Sequence, residues 1–410
     1  MRSLPAVYWF LWSGMLINRL GGFAVLYLSL YLTDVRHLGA SGAGLVTGLA
    51  GVGGMGGVLL GGILADRWGR RRTLLACHAG TAVSLLVLGL SSALPLIAGA
   101  TVLVGAGQAM AGPAFVAAIV DVVPEADRTR AFNLQFWAFN LGTAAASLMA
   151  GLLVRVGFTL LFVLDAASTV ATLCVLALGV PETRPSPVAD ATPGRGPGTG
   201  VALCDRVFLA FVGLSLLTAV VVAQTSTVLP LSMRRHGLPP GDYGVVAGLA
   251  GGLIVVGQLF VPRLIIGRRK GPVLAVAAAL QGVGIAVLAP LGGALWGCLL
   301  AAAVWTCGGM LAAPPNAAVV AELSPAGLRA RYQAVFYLVF PAAAFLAPAM
   351  GGWGLERLGD AYWLLPAAVA LLAAAGHLAA SGPRERRRTA SPPEDQPEAP
   401  RRWRRASGRG

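Results

Sequence analysis

The chain has 410 residues, of which 56% are hydrophobic and only 12% are charged, with a formal net charge of +14. Soluble domains carry about a quarter charged residues, so this composition excludes an ordinary soluble protein. The apolar residues form long blocks, and a helical bilayer span needs about 20 mostly apolar residues. Backbone groups in lipid must bond within their own segment or in a closed barrel, and these blocks lack the alternation of barrel strands. The sequence therefore predicts an all-α membrane protein.

Twelve transmembrane helices are predicted, in two sets of six. The first set lies near residues 7–32, 43–65, 73–93, 95–120, 131–154 and 158–180. The second set lies near residues 206–231, 243–266, 272–291, 293–320, 332–355 and 362–380. The apolar run that follows Arg2 is longer than the core of a signal peptide, so we interpret it as the first span.

The basic residues concentrate in alternate loops, which favours membrane topology over nucleic-acid binding as their purpose. One side carries Arg2, Arg67, Arg70, Arg71, Arg72, Arg128, Arg130, Arg184, Arg195, Arg206, Arg263, Arg268, Arg269, Lys270, Arg329 and Arg331. Short cytoplasmic loops are enriched in Arg and Lys, so both termini are predicted to be cytoplasmic. Lys270 is the only lysine in a chain rich in Arg, Ala and Gly, which is typical of a GC-rich genome. We therefore expect a bacterial inner (cytoplasmic) membrane.

The chain contains two copies of one plan. Gly44, Gly48, Leu49, Ala50 and Gly51 recur 200 residues later as Gly244, Gly248, Leu249, Ala250 and Gly251. Further on the offset is 201, so that Asp121 corresponds to Glu322. This pattern predicts two pseudo-symmetric six-helix bundles, 1–180 and 206–380, with a cytoplasmic linker at 181–205 and a basic disordered tail at 381–410. Two such halves suit alternating access to a site between them.

The loop between the second and third spans carries a specific motif. It reads Gly62-Ile63-Leu64-Ala65-Asp66-Arg67-Trp68-Gly69-Arg70-Arg71-Arg72-Thr73-Leu74. It resembles the signature loop of the major facilitator superfamily, G-x-L-A-D-R-x-G-R-R-x-x-L, at every specified position. Because the span count, the repeat and the linker agree, the resemblance covers nearly the whole chain and points to bacterial exporters of drugs and small molecules.

The predicted conformational switch lies around this loop. It comprises Gly62, Asp66, Arg67, Gly69, Arg70, Asp121 and Arg128. Gly62 is expected to allow a close helix contact and Gly69 a tight turn. The resemblance implies that Asp66 and Arg70 latch the two halves in the outward-open state. The alternative is that the arginines only enforce topology.

Both halves carry further traces of the family's motifs. The second half keeps an incomplete copy of the loop, Gly267-Arg268-Arg269-Lys270. Glu322, the counterpart of Asp121, is expected to pair with Arg268 or Arg269. The fifth span resembles the antiporter motif g-x-x-x-G-P-x-x-G-G in its small residues, Gly142, Ala146, Ser147, Ala150 and Gly151, but it lacks the proline. The fourth span has Gln108 of the pattern L-x-x-x-R-x-x-Q-G, with Gly105 at the arginine position.

Arg19, near the middle of the first span, is the outstanding polar residue. A charge at that depth costs several kcal/mol on insertion scales, so it should face a cavity or a partner. Binding an anionic or polar substrate group, tuning a protonatable partner and forming a structural ion pair all stay open for it. Asp165 is the only acid well inside a span, and Asp34 at the end of the first span is an alternative proton carrier.

The candidate residues for substrate binding and proton coupling are polar or aromatic groups within the spans. They are Asn18, Arg19, Gln108, Asn140, Asp165, Gln224, Trp305, Asn316 and Tyr337. Polar groups amid apolar walls suit a site for a moderately hydrophobic molecule. The four histidines are expected in loops or on outer helices. The sequence contains no Cys or His cluster that suggests a metal.

These patterns predict a secondary transporter that exports small drug-like or metabolite molecules by alternating access, driven by protons. The partners expected are a small-molecule substrate, protons and the lipid bilayer, with no nucleic acid, and the chain is expected to be a monomer. We expect no cofactor and no enzymatic activity, and there is no nucleotide loop G-x-x-x-x-G-K-[S/T]. The alternatives are a proton symporter or uniporter for nutrient uptake, and a receptor or scaffold that does not transport.

Overall fold

The computed structural model describes residues 4–183, 200–258, 260–325 and 328–382, which are helical without a β-strand. The first half contains α1 (Ala6–Leu20), α2 (Ala24–Asp34), α3 (Ala40–Arg67), α4 (Arg70–Leu90), α5 (Leu94–Val122), α6 (Glu125–Leu153) and α7 (Phe158–Gly179). The centre of the predicted linker, 184–199, and the tail from 383 onward lie outside the described residues.

The second half repeats this plan with more breaks. It contains α8 (Gly200–Cys204), α9 (Arg206–Thr227), α10 (Leu229–Arg235), α11 (Pro240–Gly257), α12 (Val261–Ile265), α13 (Lys270–Leu291), α14 (Leu295–Leu323), α15 (Arg329–Tyr337), α16 (Val339–Leu358) and α17 (Leu364–Ala379).

Eleven described stretches are long and apolar enough to cross a membrane. The last, Arg331–Ala379, has 49 residues and folds back at a 3₁₀ turn, Gly359–Trp363. Its first leg ends with Glu356 beside Ser41, and its second ends with Ser381 against Gly271, near the start of α13. This stretch therefore crosses twice, which agrees with the predicted all-α plan of twelve spans.

Several spans are broken, which hydropathy alone does not reveal. The first span is interrupted at Gly21 and Gly22, because two consecutive glycines stabilise a helix poorly. The seventh span is divided between α9 and α10, and Pro230 stands in the first turn of α10, where its missing N–H costs nothing.

The two ends of the bundle differ in charge. The end that carries Arg67, Arg70, Asp121 and Lys270 is called the basic end, and the end that carries Asp34 and the 3₁₀ turn is called the opposite end. Large apolar side chains such as Leu152 (67%) and Leu372 (68%) are exposed, as expected for a surface that faces lipid. The chain is a multi-pass integral membrane protein.

Candidate functional site: a cleft between two helical halves

At the opposite end the two halves are held together by closely packed small residues. A Cβ on Gly44 of α3 would lie 2.1 Å from the carbonyl oxygen of Pro348 in α16. A Cβ on Gly244 of α11 would lie 2.6 Å from Cα of Gly151 in α6. Glycines allow backbones to approach to this distance. Gly151 and Ser147, two of the small residues identified in the fifth span, therefore lie at the contact between the halves.

Polar contacts between the halves lie at the same end. Nε of Arg234 in α10 lies 3.0 Å from Oδ2 of Asp34 in α2. The carboxylate of Glu356 accepts hydrogen bonds from the backbone N–H of Ser41, at 3.0 Å, and from its hydroxyl. The hydroxyl of Tyr27 donates to the carbonyl of Pro240 at 3.3 Å. Asp34, predicted from the sequence as an alternative proton carrier to Asp165, is thus part of an ion pair between the halves.

Helix α6 shows that the halves separate toward the basic end. Ala144 and Ser147 in the outer part of this helix are buried, at 8% and 2% exposure. Trp137 lies about two turns before Ala144 on the same face, and it is 42% exposed. One face of a single helix is therefore closed at the opposite end and open at the basic end.

A cavity of about 720 Å³ lies along this open stretch of α6. It is lined by Ala126, Thr129, Arg130, Asn133, Leu134 and Trp137. Asn140, a predicted site residue, lies one turn deeper, and its amide donates to the carbonyl of Phe136 in its own helix. The wall of the cleft thus combines amide, aromatic and guanidinium groups.

Arg19 lies at the level of the middle of α6. Its Cζ stands 4.2 Å from the centre of the Phe139 ring, which is a cation–π contact. Its Cβ packs against Gly142, where an added Cβ would lie at 2.6 Å. Within the described part of the chain, no acceptor is hydrogen-bonded to its guanidinium, and the side chain is partly exposed. A direct structural ion pair, one of the three roles left open for Arg19, is therefore absent among these residues.

Asp165 of α7 is buried at 2% exposure and is hydrogen-bonded to the backbone next to the break in the first span. Its Oδ2 accepts a hydrogen bond from the backbone N–H of Ala24 at 2.9 Å, at the first residue of α2. This carboxylate thereby satisfies one of the N–H groups that a helix start leaves free. The side-chain amide of Asn18 in α1 donates to the hydroxyl of Thr169 at 3.3 Å. Because Thr169 lies on α7, this bond holds α1 to α7.

The other predicted central residues are divided between core and cleft. Gln224 and Trp305 are buried at 1% and 6%, inside the second half. Gln108 and Asn316 are half-buried, and Oδ1 of Asn316 has no hydrogen-bond partner among the described residues. Tyr337 is 52% exposed and stands against Phe336 and Phe340. The structure therefore does not gather these residues around Arg19.

The signature loop forms a charge cluster at the basic end. Nε of Arg70 lies 2.9 Å from Oδ2 of Asp121, and its Nη1 lies 3.5 Å from Oδ1 of Asp66. The same guanidinium donates to the carbonyl of Ala65 at 2.9 Å. Asp66 keeps 76% of its side chain exposed, whereas Arg70 keeps only 12%. All of these groups belong to the first half, so this cluster does not link the halves here.

The turn after α3 depends on Gly69. Its φ of +104° lies in the region that favours glycine, and a Cβ there would lie 2.2 Å from Oε2 of Glu182. Glu182 also accepts the backbone N–H of Arg70 at 2.8 Å. Arg67 ends α3 and is exposed. Arg128 donates to the carbonyls of Val120 and Val123 at the end of α5, so in this structure it stabilises a helix terminus.

The close contact expected at Gly62 is wrong. An added Cβ at Gly62 would meet no atom within 4 Å, whereas one at Gly61 would lie 2.6 Å from the carbonyl oxygen of Met110. The two positions differ by about 100° around the helix, so the face toward α5 contains Gly61 and not Gly62.

The second half repeats the cluster in a different form. Lys270 pairs with Glu322, and these positions correspond to Arg70 and Asp121 in the repeat. The expected partner of this acid was Arg268 or Arg269, but the equivalent of Arg70 is the lysine at the first residue of α13. Both halves thus hold the end of one helix to the start of another by an ion pair.

Sequence reasoning missed three features. His78 on α4 and His377 on α17 are buried at 4% and 2%, so their side chains point into the protein, which the sequence did not predict. Gly105, where the family pattern has an arginine, packs so tightly that a Cβ would lie 1.9 Å from the carbonyl oxygen of Ala50. Glu182 lies in a proline-containing segment after α7 and carries no motif. Of these, only Gly105 had a signal, its place among small residues.

The fold and the cleft define a polytopic membrane protein of the transporter class. The chain matches the Major Facilitator Superfamily over residues 11–340, so it belongs to that family. It is therefore a membrane transporter of this type.

Several known proteins resemble it. The chain is 24% identical over 355 residues to a Na(+), Li(+), K(+)/H(+) antiporter of Planococcus maritimus, covering 78% of this chain and 83% of the relative. It is 28% identical over 384 residues to the uncharacterized MFS-type transporter YttB of Bacillus subtilis (strain 168), covering 90% and 93%.

Solved structures share the fold at lower identity. A POT family transporter in complex with 5-aminolevulinic acid has a TM-score of 0.77 at 14% identity, covering 92% of this chain and 96% of that one. A mutant of the nucleoside transporter NupG has a TM-score of 0.75 at 15% identity, covering 90% and 99%. These similarities show the fold alone.

Proposed function

We propose that the chain exports small drug-like or metabolite molecules from the cytoplasm by alternating access, in exchange for protons. The observation that carries this proposal is the asymmetry of the interface: the halves are joined at the opposite end and separated at the basic end. Such a shape is one of the two states that alternating access requires. A substrate would enter the cleft from the basic end and leave after the opposite end opens.

The basic end is proposed to face the cytoplasm of a bacterial inner membrane, with both termini on that side. The loops at this end carry Arg67, Arg70, Arg71, Arg72 and Lys270. Arg and Lys are retained in short cytoplasmic loops during insertion, which supports this orientation. The working unit is proposed to be a monomer, with the bundles 1–180 and 206–380 moving about the linker 181–205.

The signature cluster is proposed to close the basic end in the other state. The carboxylate of Asp66 is largely exposed, so it can reach a partner on the second half when the cleft narrows. Arg70 and Asp121 would hold the loop rigid while Asp66 meets that half. In the present state the ion pair of Asp66 is with Arg70 of its own half.

Asp165 is proposed to carry the proton. Among the described residues it is the only acid well inside a span, away from the helix ends, which supports its assignment as the carboxylate that binds the proton at membrane depth. The ionised carboxylate accepts the N–H of Ala24, and protonation of the carboxylate weakens that bond at the break of the first span. Proton binding would thereby act on α2, which carries Asp34 of the contact between the halves. The antiporter relative supports exchange against protons.

The test is proton flux in inside-out vesicles energised by respiration, followed with a pH-sensitive dye and a panel of lipophilic drugs and metabolites. We expect a substrate to collapse the pH gradient with the wild type and at least about tenfold more slowly with Asp165→Asn, which keeps the bond to Ala24 but not the charge. Asp360→Asn is the matched control, since this acid lies at the opposite end and is 46% exposed.

Three results would contradict the proposal. Proton movement in the same direction as the substrate would establish symport and uptake. Equal flux with Asp165→Asn would remove the assigned carrier. Failure of the whole panel with folded, inserted protein would remove support for antiport.

A further inference from the structure

The cleft has an unusual charge balance for a membrane site. Arg19 brings a positive charge to mid-depth, and Arg130 lines the cavity nearer the basic end. Except for Asp165, each Asp or Glu of the sequence lies at a helix end or outside the spans. Asp165 makes no direct ion pair with Arg19, and its Oδ2 is occupied by the N–H of Ala24. Among the described residues, a positive charge therefore stands in the cleft without a directly paired acid.

A guanidinium at this depth is costly unless an anion or water approaches it. Its contact with the Phe139 ring is weaker than a charge-assisted pair in a poorly solvated site. The side chain is partly exposed, so its nitrogen atoms remain accessible from the cleft. The planar guanidinium matches the geometry of a carboxylate, sulfonate or phosphate group.

Aromatic side chains stand beside this charge. Phe139 contacts the guanidinium, and Phe136 lies about one turn before it on a neighbouring part of the α6 surface; the two rings are 39% and 51% exposed. Ring faces of this kind pack against planar apolar ligands. Asn133 and Asn140 add amide groups on the same helix, and they can orient a ligand without adding charge.

We propose that the substrate class is an aromatic organic anion, whose acidic group pairs with Arg19 and whose ring packs on Phe136 and Phe139 of α6. This inference rests on the proposed transport function, because it names what the same cleft binds. It distinguishes this chain from a carrier of lipophilic cations, which needs a free carboxylate in the cleft.

The test is equilibrium binding by calorimetry with purified protein in lipid nanodiscs. The probes are three molecules of similar size: 2-naphthoate, its neutral amide 2-naphthamide, and 2-naphthylmethylammonium. We expect 2-naphthoate to bind at least about tenfold more tightly than the other two, since a charge-assisted bond is roughly twice as strong as a neutral one. Arg19→Gln should weaken 2-naphthoate by at least about tenfold and leave 2-naphthamide unchanged, whereas Arg19→Lys should keep part of the affinity.

The variants separate binding from folding. Arg19→Gln removes an intramembrane charge, which favours insertion, and its fold can be checked by its elution volume and melting temperature. Arg357→Gln, an exposed arginine near the end of α16 at the opposite end, is the matched control. Phe139→Leu should weaken 2-naphthoate by about threefold through loss of ring contact.

The inference is overturned if 2-naphthamide or the ammonium binds as tightly as 2-naphthoate, or if Arg19→Gln leaves its affinity unchanged. It is also overturned if 2-naphthoate shows no saturable binding up to about 10 mM. Binding needs no proton gradient, so a negative vesicle assay with positive binding would reject export and keep the anion site. Proton-coupled flux of cations alone would reject the anion site and keep proton-coupled export.

Discussion

The two ends of the bundle are built from the same repeat, yet they join the halves in opposite ways. At the opposite end one hydrophobic core contains residues of both halves, such as Tyr27 and Tyr243. At the basic end the cores are separate: one contains Leu4, Leu74 and Phe115, and the other Phe208, Leu274 and Tyr332. This state is therefore defined by where the two halves share a core, because the ion pairs described at the basic end lie within each half.

The largest effect is expected from a substitution that separates the two halves at the opposite end, where they are in contact. Gly44→Val inserts a side chain where even a Cβ would lie 2.1 Å from a backbone oxygen. Overpacking of this kind costs about 1–3 kcal/mol, so the open population of the opposite end should rise by roughly fivefold to 150-fold. Hydrogen exchange of α2 and α10 amides in nanodiscs measures the effect.

Gly56→Val in the same helix is the control, since a Cβ there meets nothing within 4 Å. If both valine variants raise the exchange equally, the glycine contact does not hold the opposite end closed.

The two ion pairs at the basic end are expected to contribute differently to the stability of the two halves. Arg70 and Asp121 are 12% and 14% exposed, whereas Lys270 and Glu322 are 31% and 36% exposed. Arg70→Ala should lower the unfolding free energy by about 1–3 kcal/mol, because it leaves a largely buried acid and the carbonyl of Ala65 without this donor. Lys270→Ala should cost under about 1 kcal/mol, because solvent screens the exposed pair.

Reversible unfolding in detergent measures both, with Arg72→Ala as a control for loss of an exposed arginine. Equal losses for Arg70 and Lys270 would show that the two clusters are equivalent despite their exposure.

The smallest effect is expected at the ion pair between the halves. Arg234 and Asp34 are 47% and 22% exposed, so their coupling should be about 0.2–1 kcal/mol. Asp34→Arg and Arg234→Asp should each raise hydrogen exchange in α2 and α10, and the double exchange should restore protection. Additive effects in the double variant would mean that the two charges do not interact.

The sequence predicts most of the fold because bilayer thickness imposes one signal, a long apolar block, on every span. It does not predict the breaks at Gly21 and Leu338, since local weakness of a helix becomes a break only through packing. Likewise, composition cannot decide between Gly61 and Gly62, because the two positions differ only in helical phase.

The candidate site is less predictable than the fold. Arg19 and Asp165 stand out in the sequence because charges are rare inside spans. Their separate partners, a phenyl ring and a backbone N–H, follow only from tertiary structure. Gln224 and Trp305 were predicted for the cavity, yet they are buried, since polar and aromatic residues also serve as contacts between packed helices.

The pair between Asp34 and Arg234 joins positions that are 200 residues apart, the same offset that separates the glycines of α3 and α11. The two residues are therefore descendants of one ancestral position, if the halves arose by gene duplication. In a symmetric ancestor that position would have placed two identical side chains against each other. An ion pair at this point therefore requires that the two copies have diverged.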